Sequence, residues 1–293
     1  MPPLAARPSA LALCVVLAVI ALAGCGADEA TDGGAVAITV TRDFGTANVA
    51  QLPPQPVPQA PGLATLLERY GQPRPRESLF VNGILAEDPA AQLELHGGDR
   101  VWLDQHRPTV APSIRAVIGA FPEPFVHGVD GKRLPVRVEC DDPRSGPCAA
   151  IAKKLVALGV VAGRSIISHS AADDTLRVLV GPWNRLRARD IEADSIDEGP
   201  RSSGVFARFN EAGDELTVLD PAGRPARTLG AGTGFIATTS APERRPVWFV
   251  SGTDAAGVAA ATRAFDESVL ADRFALAISR DLPVAVPLPR SPS

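Results

Sequence analysis

Lysine is nearly missing from this chain, with three residues (Lys132, Lys153, Lys154) against 26 arginines, and the net charge is −4. No broad basic surface stands ready for a phosphate backbone, which excludes nucleic acid from the leading partners. Histidine is also scarce. The four residues His96, His106, His127 and His169 form no HExxH, no HxH and no Cys/His zinc spacing. There is no GxSxG elbow to present a serine nucleophile and no GxGxxG to open a dinucleotide site. Aromatic residues make up 5%, with one Tyr and three Trp. No apolar run reaches the roughly 20 residues that span a bilayer. What is present is the balance of a folded protein, 45% hydrophobic and 21% charged, in 293 residues. That length suits about two domains.

The longest apolar run, ALALCVVLAVIALA over 10–23, follows a single cation, Arg7, and meets Gly24 at once. It reads as the core of a signal peptide, residues 1–24. Leu22-Ala23-Gly24-Cys25 places small residues directly before a cysteine, as in a bacterial lipobox, where the thiol is acylated and becomes the first mature residue. The expectation is a lipid anchor on Cys25 that holds the protein to the extracytoplasmic face of the cell membrane. Residues 25–35 are polar and glycine-rich, a flexible tether. With Cys14 removed and Cys25 carrying lipid, Cys140 and Cys148 remain as an even pair. In an oxidising compartment they are expected to close the loop CDDPRSGPC as a disulfide, the alternative being two free thiols.

Residues 36–107 read as a small β-grasp-like domain of α+β class. Val36, Ile38 and Val40 alternate as on a half-buried strand. The run QLPPQPVPQAP (51–61) reads as an extended loop. Leu63, Leu66, Leu67 and Tyr70 form a helical stripe that Gly71 can end. Asn82-Gly83 between apolar runs predicts a hairpin, because both turn residues must accept positive φ. His96-Gly97-Gly98-Asp99 then turns into a strand, RVWLD.

The order ITVTRDFG, GLATLLERYG, FVNGILA, GGDRVWLDQH and RAVIGAFPEPFVHG resembles a group of actinobacterial lipoproteins. Their N-terminal part is a domain of unknown function related to the C-terminal β-domain of transcobalamin. The resemblance covers roughly residues 36–130, and QPRPRES (72–78) stands where family members carry a longer segment. It implies an extracytoplasmic module for capture or docking, with cobalamin as the candidate small-molecule ligand, held for presentation to a transporter. An apolar cleft is then expected near Phe80, Trp102 and Phe121, with Asp104, His106 and Phe125 as further candidate ligand-binding residues.

Residues 108–132 read as a linker in which Phe121 and Phe125 of FPEPF either plug the seam between domains or form a recognition loop. From 133 to 282 strands and helices alternate, the pattern of an α/β domain with a mixed sheet and packed helices. Cys148, Ile151, Leu155 and Leu158 make one helical stripe. SGVFARF (203–209) and ELTVLD (215–220) read as an antiparallel pair, and PVWFV (246–250) leads into a helix whose start Thr253 or Asp254 caps. The tail, 283–293, is proline-rich and reads as frayed. Asp104 and His106, at i and i+2, project from one face, as a salt link or as the start of a metal or proton-donor site. Arg185, Arg187 and Arg189 alternate as on an extended segment, with acidic neighbours from Asp190 to Glu198 to neutralise them. No catalytic residue, metal ligand or cofactor is assigned. Three classes follow: a tethered ligand-binding lipoprotein, a scaffold that docks envelope proteins, and an enzyme for which no nucleophile and base pair stands out.

Overall fold

The alternation of Val36, Ile38 and Val40 becomes strand β1 (Ala35–Arg42), and all three side chains are buried. The structure is a computed structural model, and it describes residues 34–57, 60–69, 78–107, 113–168, 174–241 and 244–289. The segment expected to be a signal peptide, Cys25, most of the expected tether, Tyr70, Gly71, His169 and residues 290–293 lie outside the described residues.

A turn over 43–46 leads into β2 (Ala47–Pro56), so the first six residues of the proline run form an edge strand rather than a loop. Proline is tolerated there because an edge leaves one side of the backbone without a ladder partner. Helix α1 (Ala60–Glu68) buries Leu63 and Leu67. β3 (Ser78–Val81) turns through Asn82 and Gly83, both at positive φ, into β4 (Ile84–Leu85), and β5 (Arg100–Gln105) follows. The five strands lie in the order β2-β1-β5-β3-β4, with β1 and β5 parallel at the centre. Val36, Ile38, Val40, Leu63, Leu67, Val101 and Leu103 form one core beneath α1.

The second half contains β6 (Val136–Cys140), α2 (Gly146–Ala157), β7 (Ala162–Ile166) and β8 (Leu176–Pro182). Short helices α3 (Trp183–Arg187), α4 (Ile191–Glu198) and α5 (Pro200–Ser203) lead to β9 (Ala207–Phe209), β10 (Leu216–Leu219) and β11 (Pro225–Leu229). The chain closes with β12 (Gly234–Thr239), β13 (Val247–Gly252), α6 (Ala255–Ala264), α7 (Glu267–Leu270), β14 (Ala275–Ser279) and β15 (Leu282–Val286).

Seven of these strands form a mixed sheet in the order β15-β14-β12-β13-β8-β6-β7, and β9 to β11 form a three-stranded antiparallel sheet. The protein is therefore a mixed α+β structure built on mixed sheets. The pairing of β9 with β10 follows the sequence pattern. The third strand, β11, and the edge strand β15 do not. Residues 283–286, read as the start of a frayed tail, continue from Leu282 as β15 and pair with β14 through a turn in which Arg280 and Asp281 both have positive φ.

The two faces of the large sheet bury different sets of side chains. Val138, Val178, Ile236 and Val250 pack under α2 and α6, against Ile151, Leu155, Val258 and Ala261. Leu179, Ala237 and Phe249 face Trp183, Phe206, Phe209 and Leu216. Ser145 caps α2, its hydroxyl accepting from Cys148 N at 3.4 Å, and Pro147 occupies the first turn, where a missing N–H costs nothing. Leu158, placed in the α2 stripe by its spacing, lies past the last turn and is partly exposed.

The segment 113–132 is well seated between its neighbours. Leu85 N donates to Arg115 O and Val117 N to Gly83 O on one side, while Ile118 N donates to Phe274 O on the other. It therefore has backbone partners on both sides, and Ile118, Phe121 and Phe125 add to the core.

Candidate functional site

The most concentrated set of polar and aromatic side chains lies where the five-stranded sheet meets the rest of the described chain. Parallel pairing of β1 and β5 sets Thr41 opposite Asp104. The Asp104 carboxylate accepts hydrogen bonds from Thr41 Oγ1 (2.5 Å), Phe44 N (3.1 Å) and Gly45 N (2.8 Å), and one oxygen lies 2.7 Å from His106 Nδ1. Trp102 Nε1 donates to Thr41 Oγ1 at 2.7 Å. Asp104 is 0% exposed and His106 2%. A buried carboxylate is costly unless every lone pair is occupied, and here four donors surround it.

What this carboxylate holds is a turn. Asp43, Phe44 and Gly45 have φ of 55°, 61° and 77°. Left-handed backbone is strained for a bulky residue such as Phe44. Asp104 offsets that strain by binding the N–H groups of Phe44 and Gly45. Gly45 has no alternative, since a methyl there would lie 1.8 Å from the Asp272 carbonyl oxygen. The turn drives the Phe44 ring among His106 (centroids 4.3 Å apart), Phe206 (5.2 Å) and Phe274 (5.2 Å). Phe80 and Trp102 close the same cluster against Phe274 at 5.8 and 5.2 Å.

Phe121 and Phe125 sit elsewhere. Phe121 packs on Phe265 at 4.7 Å and Phe125 on Trp248 at 5.1 Å, on the α6 side of the large sheet. Glu123 between them is buried and accepts from His127 N, with His127 Nδ1 2.6 Å away. The His127 ring in turn lies over Gly98, where a methyl would stand 2.5 Å from it. Arg100 joins the two regions by donating to Phe121 O and pairing with Glu267.

The structure thus brings together Phe80, Trp102, Asp104 and His106, and places Phe121 and Phe125 in a second aromatic cluster. All six are at most 3% exposed. None of them lines either of two open grooves at the surface. One groove, of about 660 Å³, runs along Arg227, Gly230, Thr233, Arg280, Leu282 and Val284. The other, of about 580 Å³, is ionic, with Arg115, Arg244, Arg245, Glu87, Asp130 and Asp174 on its walls.

A second buried polar centre lies between the large sheet and α4. Arg177 on β8 donates to both oxygens of Glu139 on β6 (3.2 and 2.8 Å) and to Asp190 (2.6 Å), with Glu192 4.0 Å away. Burial pulls the Arg177 guanidinium down, but its bonds to Glu139 and the charge of Asp190 outweigh that and hold it above its ordinary value. Burial, followed by the neighbouring Glu192, pushes the Asp190 carboxyl up to about 6, although Arg177 opposes the shift.

The remaining sequence expectations resolve locally. Cys140 and Cys148 form a disulfide, with Cα atoms 6.1 Å apart. Asp254 caps α6 by accepting from Gly257 N, and its other oxygen accepts from Gly232 N, which ties down the glycine-rich turn before β12. Arg185 and Arg187 are helical, so the three alternating arginines share no extended face. Arg187 pairs with Asp197 at 2.9 Å and Arg189 with Asp141 at 3.1 Å, because helix-forming Leu186 and Trp183 are drawn into the core. Among the described residues no group of three His, Cys, Asp or Glu side chains could hold a metal ion, and no helix is long and apolar enough to cross a membrane.

Sequence reasoning missed Phe44, Phe274 and the Arg177 centre. The Asp-Phe-Gly run directly after a strand was a signal for a left-handed turn. Nothing local marks Arg177 as buried, since its partners come from β6 and from the start of α4. No protein-family model matches the sequence, and no curated protein matches it.

Proposed function

We propose that this chain is a lipoprotein anchored through Cys25 to the extracytoplasmic face of the cell membrane, and that it docks other envelope proteins rather than transforming a substrate. We read its N-terminal sheet as β-grasp-like. The order β2-β1-β5-β3-β4 with a parallel central pair and one covering helix supports that reading. The observation that favours docking is the fate of the aromatic side chains. Phe80, Trp102, Phe121 and Phe125 stabilise the interior, where a cobalamin-like ligand could not reach them without unfolding the seam. The oxidised Cys140–Cys148 pair accords with an extracytoplasmic setting.

Two measurements test this. Radiolabelled palmitate should enter the chain expressed in an actinobacterial host and should be absent from Cys25→Ser; no label in either would sink the anchor. Photo-crosslinking in intact envelopes should then capture a defined partner, and the absence of any specific adduct would end the docking reading.

A second reading, capture of a small ligand for presentation to a transporter, finds a place in the groove beside Arg227 and Arg280. Titration of the full chain with cyanocobalamin, followed by tryptophan fluorescence, separates the two. Docking predicts no saturable change, whereas a saturable response would favour ligand capture.

A further inference from the structure

The outer edges of the sheets are not equally protected. An edge strand exposes unpaired backbone N–H and C=O groups, and natural sheets blunt it with proline, charge or a cover. On β15, Pro283 pairs with Ile278 and Leu282 with Ser279 across a two-residue turn. In such a hairpin the N–H of Leu282 points inward, so alternation turns positions 283, 285 and 287 outward, and two of these are proline. The β2 edge carries Pro53, Pro54 and Pro56.

The opposite edge of the large sheet is β7, and it has no proline. It is also apolar. Among the described residues seven large hydrophobic side chains are exposed, and four of them fall between 156 and 166: Val156 (57%) and Leu158 (37%) at the end of α2, Val161 (90%) just before β7 and Ile166 (61%) at its end. A clustered set of this kind marks an interaction surface more than scattered singles do. The stretch from Ser145 to Ser168 contains no Asp or Glu, and its exposed cations are Lys153 and Arg164.

We propose that the β7 edge is a docking site for an extended segment of a partner protein, which adds as a strand beside β7 and carries acidic residues among its apolar ones. The open backbone edge calls for a partner with its own N–H and C=O groups, which a lipid surface does not offer. The local charge selects among such partners. A second copy of this chain would set Lys153 and Arg164 against their own kind, whereas an acidic strand neutralises them. The proposal deepens the docking reading by naming the face and the chemistry of what it holds.

The test uses the full chain in lipid nanodiscs and two labelled peptides, one of alternating Val and Glu and one of alternating Val and Lys, followed by fluorescence anisotropy. The acidic peptide should bind at least about tenfold more tightly than the lysine peptide, a difference of about 1.4 kcal/mol. Val161→Lys and Ile166→Lys should each weaken it by a similar factor, with circular dichroism unchanged, because both side chains face solvent. Failure of the acidic peptide to bind at about 1 mM, equal binding of both peptides, or full binding by both variants overturns the proposal. So does a dimer in sedimentation that Val161→Lys dissociates, which would assign the edge to a second copy. Hydrogen-exchange protection of residues 158–166 in anionic but not zwitterionic nanodiscs, without peptide, would assign it to the membrane and overturn the proposal as well. If the peptides fail while envelope crosslinking still captures a defined partner, the β7 site falls and the docking reading stands.

Discussion

Phe44 and Phe274 meet edge to face with ring centroids 5.2 Å apart, one on the turn after β1 and the other at the entry to β14. The pair is separated by most of the chain, and it fixes the five-stranded sheet against the elements that follow. Removing the Phe44 ring empties a site bounded by His106, Phe206 and Phe274. Phe44→Ala should lower stability by about 3–5 kcal/mol, the usual cost of deleting a buried phenylalanine. Urea unfolding followed by tryptophan fluorescence measures this. A loss below about 0.5 kcal/mol, the scale of an ordinary surface change, would mean that the seam contributes little.

Gly45 and Asp104 provide a stricter check on the turn. At Gly45 both the positive φ and the nearby Asp272 carbonyl oppose any side chain. Gly45→Ala should therefore destabilise, although alanine substitution at a flexible glycine commonly stabilises by about 0.4–1 kcal/mol. Asp104→Asn keeps the shape but turns an amide donor toward groups that already donate. It should cost about 1–3 kcal/mol, the penalty of an unsatisfied buried group, and should loosen the turn. Faster amide exchange at Phe44 and Gly45 is the readout, and unchanged exchange in the variant would contradict the role given to Asp104.

Asp190 gives a pH dependence with a definite sign. Its folded-state value is about 6, against 3.8 in the unfolded chain. Between those values the folded protein holds a proton that the unfolded chain has released. The stability from this group is thus full below about pH 3.8 and lost as pH rises through about 6. Arg177 and Glu192 face the same carboxyl, Glu139 shares Arg177 with it, and Arg244 pairs with Glu192 at 3.3 Å. The measurement is the difference in unfolding free energy between wild type and Asp190→Asn from pH 4 to 7. Wild type should lose ground as pH rises, by at most about 1.4 kcal/mol per pH unit, while a flat difference would refute the assignment.

The disulfide closes a short loop between β6 and α2. Replacing Cys140 and Cys148 by serine should cost about 2–3 kcal/mol, the chain-entropy value for a loop of this size. Intact mass after alkylation without reductant should show neither thiol modified. Modification of both would mean that the native pair is reduced.

Local sequence was enough for the elements whose cause is local. Alternation gave away β1, and Asn82-Gly83 announced its hairpin because few other dipeptides accept two positive φ values. Asp254, one of the two residues read as a cap, marked the start of α6 through an oxygen that the first turn needs. The cysteine pair was legible from its count and spacing. The strand status of residues 51–56 and 282–286 was not legible, since prolines suit an edge strand and a loop equally well, and only a neighbouring strand distinguishes them.

The amino-acid order by itself determined the strands and helices whose apolar pattern is regular, the left-handed turn at Asn82-Gly83, and which cysteines could meet. Tertiary structure alone decided where the rare aromatic side chains go. Phe80 and Trp102 joined Phe44 and Phe274, and Phe121 and Phe125 joined Trp248 and Phe265, leaving none of the four expected rings on the wall of either groove described. It also decided that Arg177 is buried among carboxylates and that β7 is the last strand of the large sheet. The reason is physical: propensity and capping act over a few residues, whereas burial, ion pairing and edge position depend on what distant segments place alongside.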